Sequence, residues 1–436
     1  MRRSVMLLVS VASAVLLACG AAWAAAGDLD PTFGGGDGQV VGGTATCPAD
    51  DLAVLPEGGK ILSFGEYCGR LHRYDPDGSP DETFGGDGTV TYGYEGTDYP
   101  INITPLAFLA QPDGGIVVGG YADAENGDPQ FTLARFLSDG TLDEGFGGGD
   151  GTVAVGFGER TSEEVTALAM QGDNIVAAGD TSVGVALARF LPDGTPDATF
   201  GGGDGKLTAN LGTYGRAKDL AVLPDGRLMV AGYAGYVNDF MLARFRPDGA
   251  IDKSFGGGDG RLRTGFARGT NDFGWSLVVK GSRAIVAGAT YADTKDAPGR
   301  FALVAYAEDG SLLKSFGGGD GKVKTVFGVG DAFARDAVVQ EDGKLLVVGQ
   351  RNKFLKGWRG IDFALARYEP DGTLDASFGG GDGKLVTDVS PGMDDSAEAV
   401  AVDAEGRAVV GGQAIVYNSS SDRYQTATGL ARYLLE

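Results

Sequence analysis

The sequence is poor in the residue types that carry most enzyme chemistry. Its 436 residues include one histidine, His72, and three cysteines. A lone histidine excludes His-rich metal sites and most catalysis that relies on an imidazole base. Positive charge is scarce: 36 Lys and Arg stand against 59 Asp and Glu, a formal charge of −23. Such a chain repels nucleic acid and anionic lipid, and neither is expected as a partner. After residue 26 no apolar run is long enough to span a bilayer, so no transmembrane segment is expected. No stretch shows helical periodicity with caps.

Glycine is abundant instead, at 76 residues, where about 7% of a chain is usual. It has no every-third-residue period, which excludes collagen. Apolar residues make up 43%, enough for an ordinary globular core.

The N-terminus reads as an export signal over residues 1–26. Arg2 and Arg3 precede an apolar stretch, 5–18, and Ala22-Trp23-Ala24 and Ala24-Ala25-Ala26 are both small-x-small cleavage sites. Leu16-Leu17-Ala18-Cys19-Gly20 also resembles a bacterial lipobox, in which Cys19 would carry a lipid anchor. Either reading places residues 27–436 outside the cytoplasm, periplasmic or secreted. Cys47 and Cys68 then remain as an even pair in an oxidising compartment, and a disulfide is expected.

The rest of the chain is one unit repeated seven times. Phe-Gly-Gly-Gly-Asp-Gly begins at Phe33, Phe146, Phe200, Phe255, Phe316 and Phe378, and a copy one glycine shorter begins at Phe84. These copies account for 27 of the 76 glycines. Each unit holds four strand signals, as in Lys206-Leu207-Thr208-Ala209, Leu220-Ala221-Val222-Leu223, Arg227-Leu228-Met229-Val230-Ala231-Gly232 and Phe240-Met241-Leu242-Ala243-Arg244-Phe245. Pro-Asp-Gly turns separate them. Four short strands repeated seven times predict an all-β fold, a seven-bladed β-propeller with four-stranded blades. The recurring Phe is expected as a wedge between blades.

Leu365-Ala366-Arg367-Tyr368-Glu369-Pro370-Asp371-Gly372-Thr373-Leu374-Asp375-Ala376-Ser377-Phe378, with the glycines that follow, resembles the delta-60 repeat of bacterial β-propellers. The resemblance runs through residues 27–436. It departs at 305–308, which lacks the Arg and Pro, and at Leu313, which replaces the Asp. It implies an exported propeller and no established activity. A local resemblance to NHL-type propellers implies that the apolar strand is innermost and the post-glycine strand outermost. The last blade then lacks its outer strand, and residues 39–43 are expected to supply it beside Leu430 and Tyr433. The ring would close without an open sheet edge.

Several motifs invite a chemical reading. The segment 75–81 resembles a calcium loop, although equivalent positions elsewhere carry Arg189 and Leu191, which cannot bind a hard cation. A plain Asp-Gly turn is the expectation there. The glycine runs precede strands, not helices, and so are not phosphate loops. His72 is expected as a packed strand residue. Aligning the starts of the innermost strands places Asp51, Thr166, Asp219, Ser276 and Asp336 at one mouth of the central channel, with Ala107 and Ala399. Their oxygens could hold calcium, the one cofactor the residues admit; a solvated acidic ring is the plainer reading.

Variable connections gather on one face, at 121–130, 290–300, 350–362 and 413–428. They carry Tyr94, Tyr99, Tyr236, Tyr291, Phe354, Trp358, Tyr417 and Tyr424, with those from flanking links. Loop 350–362 stands out, because Arg351, Lys353, Lys356 and Arg359 interleave with Phe354 and Trp358 in an acidic chain. The expected function is a non-catalytic, monomeric scaffold binding a protein or glycan through this face. The alternatives are a propeller hydrolase or lyase using channel-mouth carboxylates, calcium-dependent or not, and a structural surface protein.

Overall fold

The computed structural model describes residues 24–436 except 43–46, 67, 94–100, 102, 125–126, 159–162, 293–297, 356–357 and 420–421. The export signal therefore lies largely outside the described residues, as do Tyr94, Tyr99 and Lys356.

Seven antiparallel sheets of four strands each form seven blades. Blades one to six run through 51–91, 104–155, 163–209, 216–264, 270–325 and 332–387 in chain order. The seventh pairs Ser396–Val402, Ala408–Asn418 and Arg423–Tyr433 with Gln39–Val41. Gln39 faces Ala431, Val40 faces Leu430 and Val41 faces Gly429. The N-terminal strand closes the ring, as the strand phase predicts. Among the described residues the only helix is one 3₁₀ turn, Phe146–Gly148, and none is long and apolar enough to cross a membrane.

The core lies between the blades. Seven hydrophobic clusters fill the seven clefts, and that between blades seven and one joins Phe33, Leu52, Ile61 and Tyr74 to Val409 and Leu430. The recurring phenylalanines are the wedges expected, all at most 1% exposed.

The repeat motif is a latch. In blade four, Arg244 Nε donates to Asp252 at 2.7 Å and Nη2 to Ser254 at 3.0 Å. Its Nη1 reaches the Glu308 carbonyl, in the turn of blade five, at 2.5 Å. The guanidinium lies 4.7 Å from the Phe255 ring centroid. Arg73, Arg189, Arg367 and Arg432 repeat this set with Asp81, Asp197, Asp375 and Asp30. The turn glycine of the next blade is obligatory: Gly310 has φ +87°, and a Cβ there would lie 2.9 Å from the Phe255 ring.

Blade five, where Ala305 and Leu313 replace the Arg and Asp, keeps its latch by another route. Arg283, from the neighbouring strand, lies 5.1 Å from the Phe316 ring centroid and donates to the Pro370 carbonyl of blade six at 2.5 Å.

Cys47 and Cys68 form the expected disulfide, with Cα atoms 6.0 Å apart. The Cys47 carbonyl accepts a hydrogen bond from Thr428 of blade seven at 2.8 Å. The bond thus ties the link entering blade one to the closing blade.

Segments read from sequence as loops are largely strand. Residues 345–355 and 358–368 pair through Leu355 and Trp358, and 408–418 pair with 423–433 through Asn418 and Arg423. The variable connections are hairpins that outgrow their blades. Their polar sequence hides the alternation of a strand because few neighbours cover them there.

Candidate functional site at the channel mouth

In blades two to seven the innermost strand carries a β-bulge near its start, at Leu106, Thr166, Lys218, Trp275, Arg335 and Glu398. A bulge re-aims the side chain of its extra residue, and here each lines the central cavity or stands at its wall. A glycine opposite makes this close approach feasible: a Cβ on Gly232 would overlap the Arg216 carbonyl oxygen.

The cavity holds about 410 Å³ and is lined also by Asp50, Asp51, Glu66, Glu164, Asp219, Ser276 and Asp336. All five channel-mouth residues expected from sequence line it. Thr166, however, stands in the bulge layer, and Ala167 is level with Asp219. Blade three runs its strand through Gln171 and turns at Gly172-Asp173, one residue later than a count from the turn suggests.

Two aspartates of this ring bind neighbouring blades, while Asp51 accepts the Leu52 N–H of its own strand at 2.8 Å. Asp219 accepts the Leu277 backbone N–H of blade five at 2.6 Å and that of Leu220 at 2.7 Å. Asp336 accepts Val400 N–H of blade seven at 2.9 Å and the Ser276 hydroxyl at 2.9 Å. Burial pushes the Asp219 carboxyl up to about 7, despite these hydrogen bonds. Among the described residues no group of three His, Cys, Asp or Glu side chains is placed to hold a metal ion. In the calcium-like segment, Asp77 caps its own turn through Ser79 and Asp81 is taken by Arg73 and Lys60. His72 is 7% exposed, and burial lowers it to about 4.

Above the aspartates the charge divides. Arg335 pairs with Glu398 at 3.2 Å. Asp50 accepts the backbone N–H of Glu66 at 2.8 Å. Burial, then the nearby Glu66 charge, raises Asp50 to about 8. Loss of surrounding water raises Glu66 to about 7, with Lys218 opposing and Glu398 adding to the shift.

An aromatic row meets the cavity at Trp275. Phe273 stacks on Trp275 at 5.6 Å and 7° and on Tyr291 at 5.7 Å and 14°. Tyr233 meets Phe273 edge-on at 4.7 Å, and Phe333 meets Tyr291 at 6.1 Å. All five are half-buried and span blades four to six. The Arg335 guanidinium covers Trp275 at 4.7 Å. Of the row only Tyr291 was singled out from sequence. The available signal was the alternation Asn271, Phe273, Trp275, which no other blade has.

Farther out, Tyr214 and Tyr236 meet at 5.2 Å and are 66% and 83% exposed. Tyr214 holds φ 55°, a costly conformation for a non-glycine residue. Tyr417 and Tyr424 form a second exposed pair at 5.3 Å. On the 350–362 hairpin, Lys353 pairs with the buried Asp362 at 2.6 Å, and Arg351 is half-buried. The side chains of Phe354, Trp358 and Arg359 lie outside the described residues.

No curated protein matches the sequence. The solved structure described as RRP9 WD40 repeats superposes with a TM-score of 0.54 at 9% identity, covering 94% of this chain and 99% of the other. The structure of U3-55K gives 0.51 at 8%, covering 91% and 98%. A streptogramin B lyase gives 0.49 at 9%, covering 91% and 97%. At these identities the first two likenesses show the propeller fold alone. The family model for a domain of unknown function, the DUF5122 beta-propeller, matches residues 58–84, 111–146, 171–200, 223–255 and 340–378. Those five stretches are delta-60 repeats of the DUF5122 beta-propeller family, and the chain that carries them is a seven-bladed propeller.

Proposed function

We propose that this propeller is an exported, non-catalytic glycan-binding protein whose site is the channel mouth on the variable face. The observation that carries the reading is the aromatic row ending at Trp275, beside a recessed polar cavity. Sugar rings present apolar C–H faces and a polar rim. Aromatic faces with charged hydrogen-bonding groups around them complement both. A flat protein partner would meet the rim pairs Tyr214–Tyr236 and Tyr417–Tyr424 but could not enter the cavity. Export is supported by the leader-like residues 1–26 and by the Cys47–Cys68 disulfide.

Electrophoresis through gels containing neutral polysaccharides tests the reading. Migration should be retarded for the native chain and restored in Trp275→Ala. No retardation in any polysaccharide would sink it.

One observation favours a second reading, a hydrolase or lyase. Asp50 and Glu66 line one cavity with carboxyls held near neutral pH, as an acid–base pair requires. Release of reducing ends or unsaturated products from a bound glycan, lost in Asp50→Asn, would establish it.

A further inference from the structure

A second cavity, of about 810 Å³, opens in the cleft between blades three and four and shares no residue with the channel mouth. Leu207, Ala209, Leu211, Phe245, Ile251 and Arg261 are among the residues that line it. Its volume and its mostly apolar wall suit a small molecule.

The sister clefts show what this one lacks. Leu211 follows the outer strand Lys206–Ala209 by two residues. The same place holds Phe157 after Thr152–Val155, Phe266 after Arg261–Thr264 and Phe327 after Lys322–Thr325. Each of these rings packs on a second one: Phe157 on Phe131 at 4.8 Å, Phe266 on Phe240 at 5.5 Å and Phe327 on Phe301 at 4.7 Å. In blade three the position of the second ring is Val185. Ala209 stands where blade one has Tyr92, whose ring lies 5.1 Å from that of Phe136, the counterpart of Phe245. Met241, where blades three and five have Ala186 and Ala302, packs into the same core and takes up part of the space. The rest is the cavity.

The cation that accompanies the ring is still in place. Lys206 lies 5.7 Å from the Phe157 ring centroid and donates to the Gly156 carbonyl. Lys322 lies 5.7 Å from that of Phe266 and donates to the Gly265 carbonyl at 2.5 Å. Arg261 is their counterpart and donates to the Asn210 carbonyl, but the residue after Asn210 is Leu211. A cation over an aromatic face is attracted to it. This cleft keeps the cation and the Phe245 wall and has no ring between them.

From this comparison of blades we infer that the cavity binds a small, uncharged aromatic molecule, whose ring takes the place of the missing phenylalanine beside Arg261. The site is separate from the glycan reading and does not depend on it. An uncharged ligand fits because the charges at the rim are already paired, Arg261 with Asp259 at 3.3 Å and Arg246 with Asp248 at 3.2 Å.

Equilibrium dialysis of the full-length chain against 2-naphthol, and against its saturated analogue decahydro-2-naphthol, tests the inference. The aromatic alcohol should bind about tenfold more tightly than the saturated one. Leu211→Phe restores the ring from within and should abolish binding while melting at or above the native temperature. Arg261→Ser should remove the preference for the aromatic alcohol, and Arg261→Lys should keep it. Trp275→Ala should bind 2-naphthol as the native chain does, which separates this site from the channel mouth. Equal affinity for the two alcohols overturns the inference, as does a preference that survives Arg261→Ser. Binding that survives in a folded Leu211→Phe, binding lost in Trp275→Ala, or no binding at all also overturns it. Should Leu211→Phe fail to melt cooperatively, the two Arg261 variants decide.

Discussion

Arg432 Nε donates to the Asp30 carboxylate at 2.8 Å, across 402 residues of chain. Both side chains are buried. The pair is one copy of the interblade latch, here made between the two ends of the propeller. Thr32 takes Nη2 at 2.9 Å, and the guanidinium lies 4.7 Å from the Phe33 ring centroid. The N-terminal segment therefore supplies a strand and a complete repeat motif to the last blade.

Breaking this latch should open the ring. Asp30→Asn is expected to cost about 3 kcal/mol, because it leaves a buried guanidinium without its anion. Asp197→Asn breaks the same contact inside the ring and should cost a similar amount. Only Asp30→Asn should expose residues 39–41 to hydrogen exchange ahead of global unfolding. Equal protection of that strand in both variants would refute the closing role.

Blade five offers an exchange of parts. Arg283→Ala should destabilise the chain by about 1–3 kcal/mol, since it removes the cation over Phe316 and a hydrogen bond to blade six. Restoring the usual motif with Ala305→Arg and Leu313→Asp in that variant should recover part of the loss in chemical denaturation. The same two changes with Arg283 present should crowd two guanidinium groups and destabilise. Recovery in neither background would show that Arg283 does not stand in for the missing arginine.

Stability should fall on both sides of a mildly acid optimum. Burial would raise the Asp252 carboxyl, but hydrogen bonds from Ser254 and Arg244 outweigh it and hold it at about 2. Asp30, Asp81, Asp197 and Asp375 are likewise held low. A depressed carboxyl stabilises above its ordinary value near 4 and loses that contribution as pH falls through its folded value. Asp50 and Glu66, raised to about 8 and 7, act in the opposite sense. Between pH 4 and 8 the unfolded chain gives up their protons first, so stability declines as pH rises. Thermal melts should therefore peak near pH 4 to 5, and Asp50→Asn with Glu66→Gln should make the alkaline limb shallower, with Asp219, Asp180 and Asp395 still contributing to it, and leave the acid limb unchanged.

The disulfide should matter in proportion to the loop it closes. With Cys47 and Cys68 21 residues apart, Cys47→Ser with Cys68→Ser should cost about 3 kcal/mol. Gly65→Ala is expected to disturb the same place, because a Cβ there would collide with both sulfurs. Unchanged melting under reductant would contradict this.

The propeller was legible because its latch is written in five of the seven repeats. Arg244, Asp252, Ser254, Phe255 and Gly310 serve one contact, so their residue types recur with the blade. The channel mouth was less so, because a site is where the repeat is broken. Trp275 has no aromatic counterpart, Phe273 has one in Phe333 of blade six, and the bulge that aims Trp275 inward depends on strand register, which composition does not show. Thr166 was misplaced by one residue for the same reason. Blade five was visible in sequence as a defect at Ala305 and Leu313. Its repair by Arg283 needed coordinates, since the replacement comes from another strand.

The position of the site also follows from these parts. Burial against neighbouring blades fixes the strands, and the bulge residues then have only the channel to face. Variation there costs little stability, and the channel mouth can change its chemistry without changing the ring.

The most direct measurement follows the emission of Trp275. In residues 27–436 the tryptophans are Trp275 and Trp358, so Trp358→Phe leaves the site as the sole reporter. Titrating that variant with a β-1,4-linked glucose hexamer should give a saturable change in intensity or wavelength. Trp275→Phe, which retains Trp358, should show none. A response carried by Trp358 alone, or no response in either variant, would contradict a glycan site at the channel mouth.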